Sequence, residues 1–360
     1  MIFARRFLWE KEFRMQAKKQ IEKIKEHLNN SSNPIFFFDN DADGLCSFLL
    51  LQRYLKKGKG VPVRSFPDLT KEYFKKVIEF KADSIFILDK PSVSAEFFEE
   101  ARQINIPVVW IDHHEIDKKE IPEFVDYYNP LFNKKSENIP VTALCYRVTE
   151  KKEDIWLAVV GCISDKFVPD FYSEFEKIYP DISVSFEDAF DVYYKSQIGK
   201  IARIFNFALK DRTANVMNMI RFLIKARTPY EVLEENTKNK TMHDRFSEIE
   251  KKKNKFLEKA VNLGKFSERF LYFQYGGELS ISSDIANELS YVFPDKVIIV
   301  VYISGAKANI SVRGENVRKK VLEAIQCIEG ATGGGHECAV GAQVFIGDLE
   351  NFKNKLLNLL

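Results

Sequence analysis

Cysteine is scarce in this chain and badly placed for either of its usual structural uses. The five in 360 residues stand at Cys46, Cys145, Cys162, Cys327 and Cys338. They are odd in number and include no C-x-x-C, which excludes a zinc ribbon and a disulfide framework and fits a reducing compartment. A surplus of one charge is also missing: 54 Lys and Arg against 52 Asp and Glu leave a net charge of +2. A surface that is basic all over is therefore excluded, and any polyanion must be met by local positive charge or by metal. No run reaches the ~18 uncharged apolar residues of a membrane span. The N-terminal stretch MIFARRFLWEKEFRMQAKK carries charges where a signal peptide has its apolar segment, and reads as an amphipathic helix. Internal repeats and low-complexity segments are absent as well. What remains is an ordinary globular composition, 45% hydrophobic and 29% charged. A soluble cytoplasmic protein is expected, long enough for two domains.

Short apolar runs rich in Ile, Val and Phe punctuate the first half: IFFFD (35–39), VPVRSF (61–66), SIFILD (84–89), PVVWID (107–112) and IWLAVVGCISD (155–165). Between the first four, segments such as GLCSFLLLQRYLKK and SAEFFEEARQIN place apolar residues at i, i+3 and i+4 and charge on the opposite face. Continuous apolar strands alternating with amphipathic helices imply a parallel sheet covered on both sides. The last run fits a strand or a buried helix equally well, and in either case presents Asp165 at its end. Four of the five runs end in aspartate, and ligands of a parallel sheet gather at the carboxyl ends of its strands. Asp39, Asp41, Asp89, Asp112, His113, His114 and Asp165 are thus expected along one edge. Any single Asp can be no more than the N-cap of the next helix. Four of them beside a histidine pair need another explanation, because crowded carboxylates raise one another's pKa unless a cation compensates. Carboxylate oxygens with one or two imidazoles suit Mn²⁺ or Mg²⁺, as a pair of ions, and such a pair serves phosphoester hydrolysis.

The same residues carry a family pattern. FFFDNDADGLCS resembles the D-x-D-x-D-G first motif of the DHH phosphoesterases, FILDKP their second, IDHHE the motif that names them, and VGCISD the fourth. KANISVRG followed by IEGATGGGHECAVGAQV is similar to the substrate-binding domain associated with that family. The resemblance implies an α/β fold: a parallel-sheet domain plus a smaller α/β C-terminal domain, with the active site in the cleft between them. The expected boundaries are 1–185 with the N-terminal helix, a helical connection over 186–265, and 266–360. It implies metal ligation by Asp39, Asp41, Asp89, His113 and Asp165, with Asp89 bridging two Mn²⁺ or Mg²⁺ ions. Asp43 is then either a loop residue or one that supports the ligands from behind, Asp112 orients a neighbouring imidazole, and His114 contacts the scissile phosphate or leaving oxygen. In one departure, Phe37 stands where some members have a histidine. The D-x-D-x-D-G form favours the RecJ-like branch, which hydrolyses single-stranded DNA or RNA from one end to mononucleotides. An enzyme of very short oligonucleotides and 3′-phosphoadenosine phosphate is the close alternative, because the chain stops after the second domain with no added stacking module. A replication or repair scaffold of the same fold is the third reading, and an active nuclease could also dock on a replication or repair partner.

In the second half, Gly333, Gly334 and Gly335 can take positive φ and align backbone N–H groups as an anion nest, with His336 as a directed donor. The plainer reading is a glycine turn. Arg313, on the pattern NISVRG, offers a fork for phosphate. Residues from about 185 to 262 read as helices, and the Lys251 to Lys255 run as a solvated helix face.

Overall fold

The computed structural model describes residues 18–64, 68–133 and 138–360. The chain divides into two compact units, Met1–Phe246 and Ser247–Leu360. The expected N-terminal helix falls largely outside the described residues; its continuation over 18–30 is helical (α1).

The first unit is built on β1 (Pro34–Asp39), α2 (Ala42–Leu55), β2 (Lys59–Val63), the short β3 (Asp68–Leu69), α3 (Phe74–Glu79), β4 (Ser84–Leu88), the short β5 (Ser92–Val93), α4 (Ala95–Gln103), β6 (Val108–Ile111) and β7 (Val125–Tyr128). The five longer strands form one parallel sheet in the order β2-β1-β4-β6-β7. Alternation along β1 sends Phe36 and Phe38 to one face, where Phe48 of α2 stacks on Phe38 at 5.0 Å. Ile35 and Phe37 go to the other face and join Phe74, Val77, Phe97 and Trp110. Phe37 meets Phe97 edge-on at 5.5 Å, so the residue at the family's histidine position is packed in the core. α5 (Val141–Thr149) and α6 (Ile155–Ser164) lie against α2. The run at 155–165 is therefore a helix. It is apolar all round because other helices enclose it, and a Cβ on its Gly161 would stand 2.2 Å from Thr142 Oγ1 of α5. β7 was not anticipated, since VDYY mixes an exposed Asp126 into a four-residue strand. The region that follows is helical: α7 (Tyr172–Ile178), which was not anticipated, and then, as the periodicity over about 185–262 predicts, α8 (Ala189–Lys195), α9 (Gln197–Ala208), α10 (Thr213–Leu223), α11 (Tyr230–Leu233) and α12 (Lys240–Gly264).

From β1 the chain goes outward to β2 and then returns to β4 on the other side of β1. The reversal leaves a crevice at the carboxyl ends of β1 and β4, the usual ligand position in open α/β sheets.

The second unit comprises β8 (Phe270–Gly276), α13 (Ser282–Val292), β9 (Val297–Ser304), β10 (Lys307–Arg313), α14 (Val317–Ile325), β11 (Thr332–His336), β12 (Ala339–Phe345) and α15 (Leu349–Leu359). Its sheet runs β11-β12-β10-β9-β8, antiparallel except for β8 beside β9. Ile299, Val301, Ile310, Val312 and Val340 pack with Val321 of α14 and Leu356 of α15. Lys253, read as part of a solvated charge run, is buried and bonded to Glu288 at 2.6 Å.

Candidate metal centre

Register brings the acids together. Phe38 lies opposite Leu88, and Leu88 opposite Ile111, so the residues that follow, Asp39, Asp89 and Asp112, end three adjacent strands in line. After β1 the chain enters α2 at once, and the Asp41 carboxylate caps that helix by accepting from Gly44 N at 3.0 Å. The turn is tight enough to require glycine: a Cβ on Gly44 would stand 2.5 Å from Asp39 O and 2.7 Å from Asp39 N. Asp43 is fully buried and accepts from Val141 N at 2.9 Å and Thr142 N at 2.8 Å. It is thus more than a loop residue, since it caps α5 and ties the first motif to that helix. Asp89 takes a left-handed φ of 57°, a conformation that Asp tolerates better than most residues and that clusters at functional sites.

The two histidines are held differently. His113 places Nδ1 2.8 Å from Asn138 Oδ1. Only the Nδ1–H tautomer satisfies that oxygen, which leaves the Nε2 lone pair facing Asp89 Oδ1 at 3.2 Å and Asp165 Oδ2 at 3.3 Å. Burial lowers the His113 pKa and keeps the ring neutral, as metal ligation requires. His114 places Nδ1 2.8 Å from Asp112 Oδ1, and its backbone N donates to Asp112 Oδ2 at 3.1 Å. Burial opposes charge on this ring too, but the Asp112 carboxylate outweighs it and pushes the pKa up to about 9. Asp112 therefore holds His114 rather than His113, and Tyr127 Oη donates to it at 3.3 Å.

Desolvation and mutual repulsion make the carboxylates resist ionising together. Burial, with Asp39 and Asp165 nearby, pushes Asp41 up to about 7. Burial and its carboxylate neighbours also hold Asp43 and Asp89 well above the ordinary range. Asp89 Oδ1 is buried with no hydrogen-bond partner among the described residues, and Asp43, Asp89 and His113 each offer a ligand atom within 4.8 Å of the others. An orphaned carboxylate oxygen facing an imidazole lone pair and further carboxylates is a donor set that fits a divalent cation.

Asp39, Asp41, Asp89, Asp112, His113, His114 and Asp165 all converge in the first unit. Arg313, Gly333, Gly334, Gly335 and His336 belong to the second. There the G-G-G-H segment is a strand, β11, at the edge of the sheet and paired with β12. Of its three glycines only Gly335 has positive φ, 136°, so the backbone is not the nest that glycine freedom suggested. Arg313 is held by its Nε donating to Asn287 Oδ1 at 2.6 Å and its Nη1 to Val312 O at 2.9 Å.

Sequence reasoning missed Lys90 and Asn138, and had no spacing argument for Asn206. Lys90 is buried, and its Nζ lies 2.7 Å from Asp39 Oδ1. Asn138 sets the His113 tautomer. Asn206 of α9 accepts from Ala42 N at 2.8 Å and so fixes the start of α2. Only Lys90 had a local signal, as a cation directly after a motif aspartate.

The model of the DHH family, N-terminal domain, matches residues 35–161, and that of the DHHA1 domain matches residues 267–360. No curated protein sequence matches the chain. Among solved structures, RecJ from Thermus thermophilus in complex with Mn²⁺ superposes with a TM-score of 0.69 at 16% identity. That match covers 94% of this chain but 54% of that one, so this chain spans about half the length of that RecJ. An exonuclease RecJ bound to manganese gives a TM-score of 0.62 at 17% identity, covering 94% and 93%. The DHH domain of a protein described as a member of a ribosomal-protein family gives 0.67 at 16%, covering 96% and 91%. At these identities the likeness is one of fold.

Proposed function

The chain belongs to the DHH family of phosphoesterases, with a C-terminal DHHA1 domain, and from that premise we propose that it is a divalent-metal-dependent exonuclease removing mononucleotides from one end of single-stranded DNA or RNA. The observation that carries the reading is the orphaned Asp89 Oδ1, set against His113 Nε2 and, through it, Asp165. Asp89, His113 and Asp165 would hold Mn²⁺ or Mg²⁺, with Asp39 and Asp41 beside them. A bound ion supplies Lewis-acid stabilisation of phosphoryl charge and lowers the pKa of water.

The chain's own groups do the rest. Asn138 holds the His113 ring by its Nδ1–H, which keeps Nε2 basic and aimed at the cluster. Asp112 keeps His114 protonated at neutral pH with Nδ1 committed to the carboxylate, so the proton that can pass to a leaving oxygen sits on Nε2. Burial of Asp112 beneath Tyr127 and the strand end keeps water from competing for that hydrogen bond. In the second unit, Arg313 is fixed by Asn287 and presents a positioned charge to a phosphate. His336 and the outward N–H groups of the edge strand over Gly333, Gly334 and Gly335 add donors. The fold shared with two manganese-bound RecJ structures supports the choice of nucleic acid as substrate class.

The test is hydrolysis of end-labelled single-stranded DNA and RNA, in a length series from two nucleotides upward, with Mn²⁺ and with Mg²⁺, beside Asp89→Ala. Stepwise mononucleotide release that disappears in the variant is expected. Turnover confined to the shortest substrates would move the assignment to an enzyme of very short oligonucleotides. No hydrolysis at any length by folded, metal-loaded protein would leave the scaffold reading.

A further inference from the structure

Lys90 is the least expected member of the carboxylate cluster. Its relative exposure is 2%, and lysine is almost never so buried without a charge partner, because removing an ammonium from water is costly. The partner is Asp39 Oδ1 at 2.7 Å. The lysine's backbone is anchored on both sides. Trp110 Nε1 donates to the Lys90 carbonyl at 3.0 Å, and the left-handed Asp89 before it fixes the direction in which the chain leaves β4. Asp89 and Lys90 thus deliver a carboxylate and an ammonium to the same crevice from consecutive positions.

An ammonium in hydrogen-bond contact with a carboxylate oxygen occupies one of the lone-pair directions from which a metal ion could approach that oxygen. A divalent ion bound there would also sit within a few ångströms of a fixed positive charge in a poorly hydrated site, where like charges repel strongly. On the other side of the cluster the situation is reversed: Asp89 Oδ1 is orphaned, and His113 Nε2 stands 3.2 Å from it and 3.3 Å from Asp165 Oδ2. The cluster is already neutralised at one end and short of a cation at the other.

We propose that the Lys90 ammonium is a resident cation of this centre, standing in place of a second divalent ion at Asp39, so that the substrate-free protein binds a single ion at Asp89, His113 and Asp165. The proposal rests on the metal-centre reading above and refines it. Lys90 is a positioning residue here: it holds Asp39 and sets the ion count, and no chemical step is assigned to it.

The experiment is a Mn²⁺ titration of the full chain without substrate, by calorimetry for stoichiometry and by electron paramagnetic resonance for spin coupling between ions. The wild type is expected to bind one Mn²⁺ tightly and show an uncoupled spectrum. Lys90→Met, which keeps the buried volume and removes the charge, is expected to bind two, with the spectrum of a coupled pair. Asp39→Asn in the wild-type background is expected to keep one ion with affinity changed by less than about tenfold, the lower end of a lost supporting contact. Asp89→Asn is expected to lose tight binding. Two tight ions in the wild type, a count that stays at one in folded Lys90→Met, or a lost ion in Asp39→Asn would overturn the proposal. If Lys90→Met does not fold, the wild-type count and the Asp39→Asn arm decide. No tight Mn²⁺ binding by any form would overturn the metal-centre reading itself, an outcome distinct from a miscounted one.

Discussion

Gly44→Ala separates the geometry of the first motif from its charges, because it adds one methyl group and removes no ligand. The new Cβ would lie 2.5 Å from Asp39 O and 2.7 Å from Asp39 N. Carbon contacts relax at about 3.5 Å, so the start of α2 must retreat from the end of β1 by about 1 Å. Overpacking of this kind costs about 1–3 kcal/mol, while replacing glycine by alanine within a helix returns about 1 kcal/mol. The net loss of stability is therefore small, about 0–2 kcal/mol. The site suffers more, because Gly44 N is the donor that holds the Asp41 carboxylate, and a misplacement of about 1 Å at reacting groups can cost about 100-fold in rate. Thermal unfolding, Mn²⁺ affinity and hydrolysis of a labelled oligonucleotide measured on one preparation give the pattern. Expected are a slight drop in Tm, weakened Mn²⁺ binding and an activity loss of about two orders of magnitude. Hydrolysis within about threefold of wild type would refute the claim that Gly44 sets the spacing between Asp39 and Asp41.

Asn138→Ala removes the acceptor that fixes the His113 tautomer, and Mn²⁺ affinity should fall about 10- to 100-fold with little change in Tm; unchanged affinity would remove Asn138 from the centre. Without metal, the folded-state pKa of Asp41 is raised from 3.8 to about 7 and Asp89 is raised as well, so the folded protein binds more protons than the unfolded chain. Its stability should decline as pH rises from about 4 to about 7, and Mn²⁺ should reverse the trend while releasing protons on binding. Thermal scans with and without Mn²⁺, and calorimetry in buffers of different ionisation heat, check both statements. Asp112→Asn removes the charge that raises His114 to about 9. The alkaline limit of hydrolysis should then move to lower pH, with a rate loss of about 100-fold or more at neutral pH; an unshifted pH profile would take the acid role away from His114.

The parallel sheet and the acid edge were legible because both are written locally. An uninterrupted apolar run marks a strand covered on both faces, and the aspartate that ends it marks the carboxyl end, as at Asp39, Asp89 and Asp112. The run over 155–165 was not decidable in the same way, since a helix enclosed by other helices shows no polar face to reveal its period. The strand over Gly333, Gly334 and Gly335 was missed as a strand for a related reason: glycines carry no side chains whose alternation could announce one. The partners of Lys90, Asn138 and Asn206 were illegible because they lie 51, 25 and 164 positions away in the chain. Sheet register and helix packing bring those pairs together, and local periodicity encodes neither. Asp43 lay between the two cases. Its place in D-x-D-x-D-G was plain, but its role as the cap of α5 depends on Val141 and Thr142, nearly a hundred residues away.

The central claim is that the carboxylates and imidazole at the strand ends form a divalent-cation centre. Anomalous diffraction at the manganese edge from crystals grown with Mn²⁺ tests it most directly. The account predicts a strong peak bonded to Asp89, His113 and Asp165, with Lys90 still on Asp39. A map with no peak among these residues, or with manganese only on surface carboxylates, would contradict it.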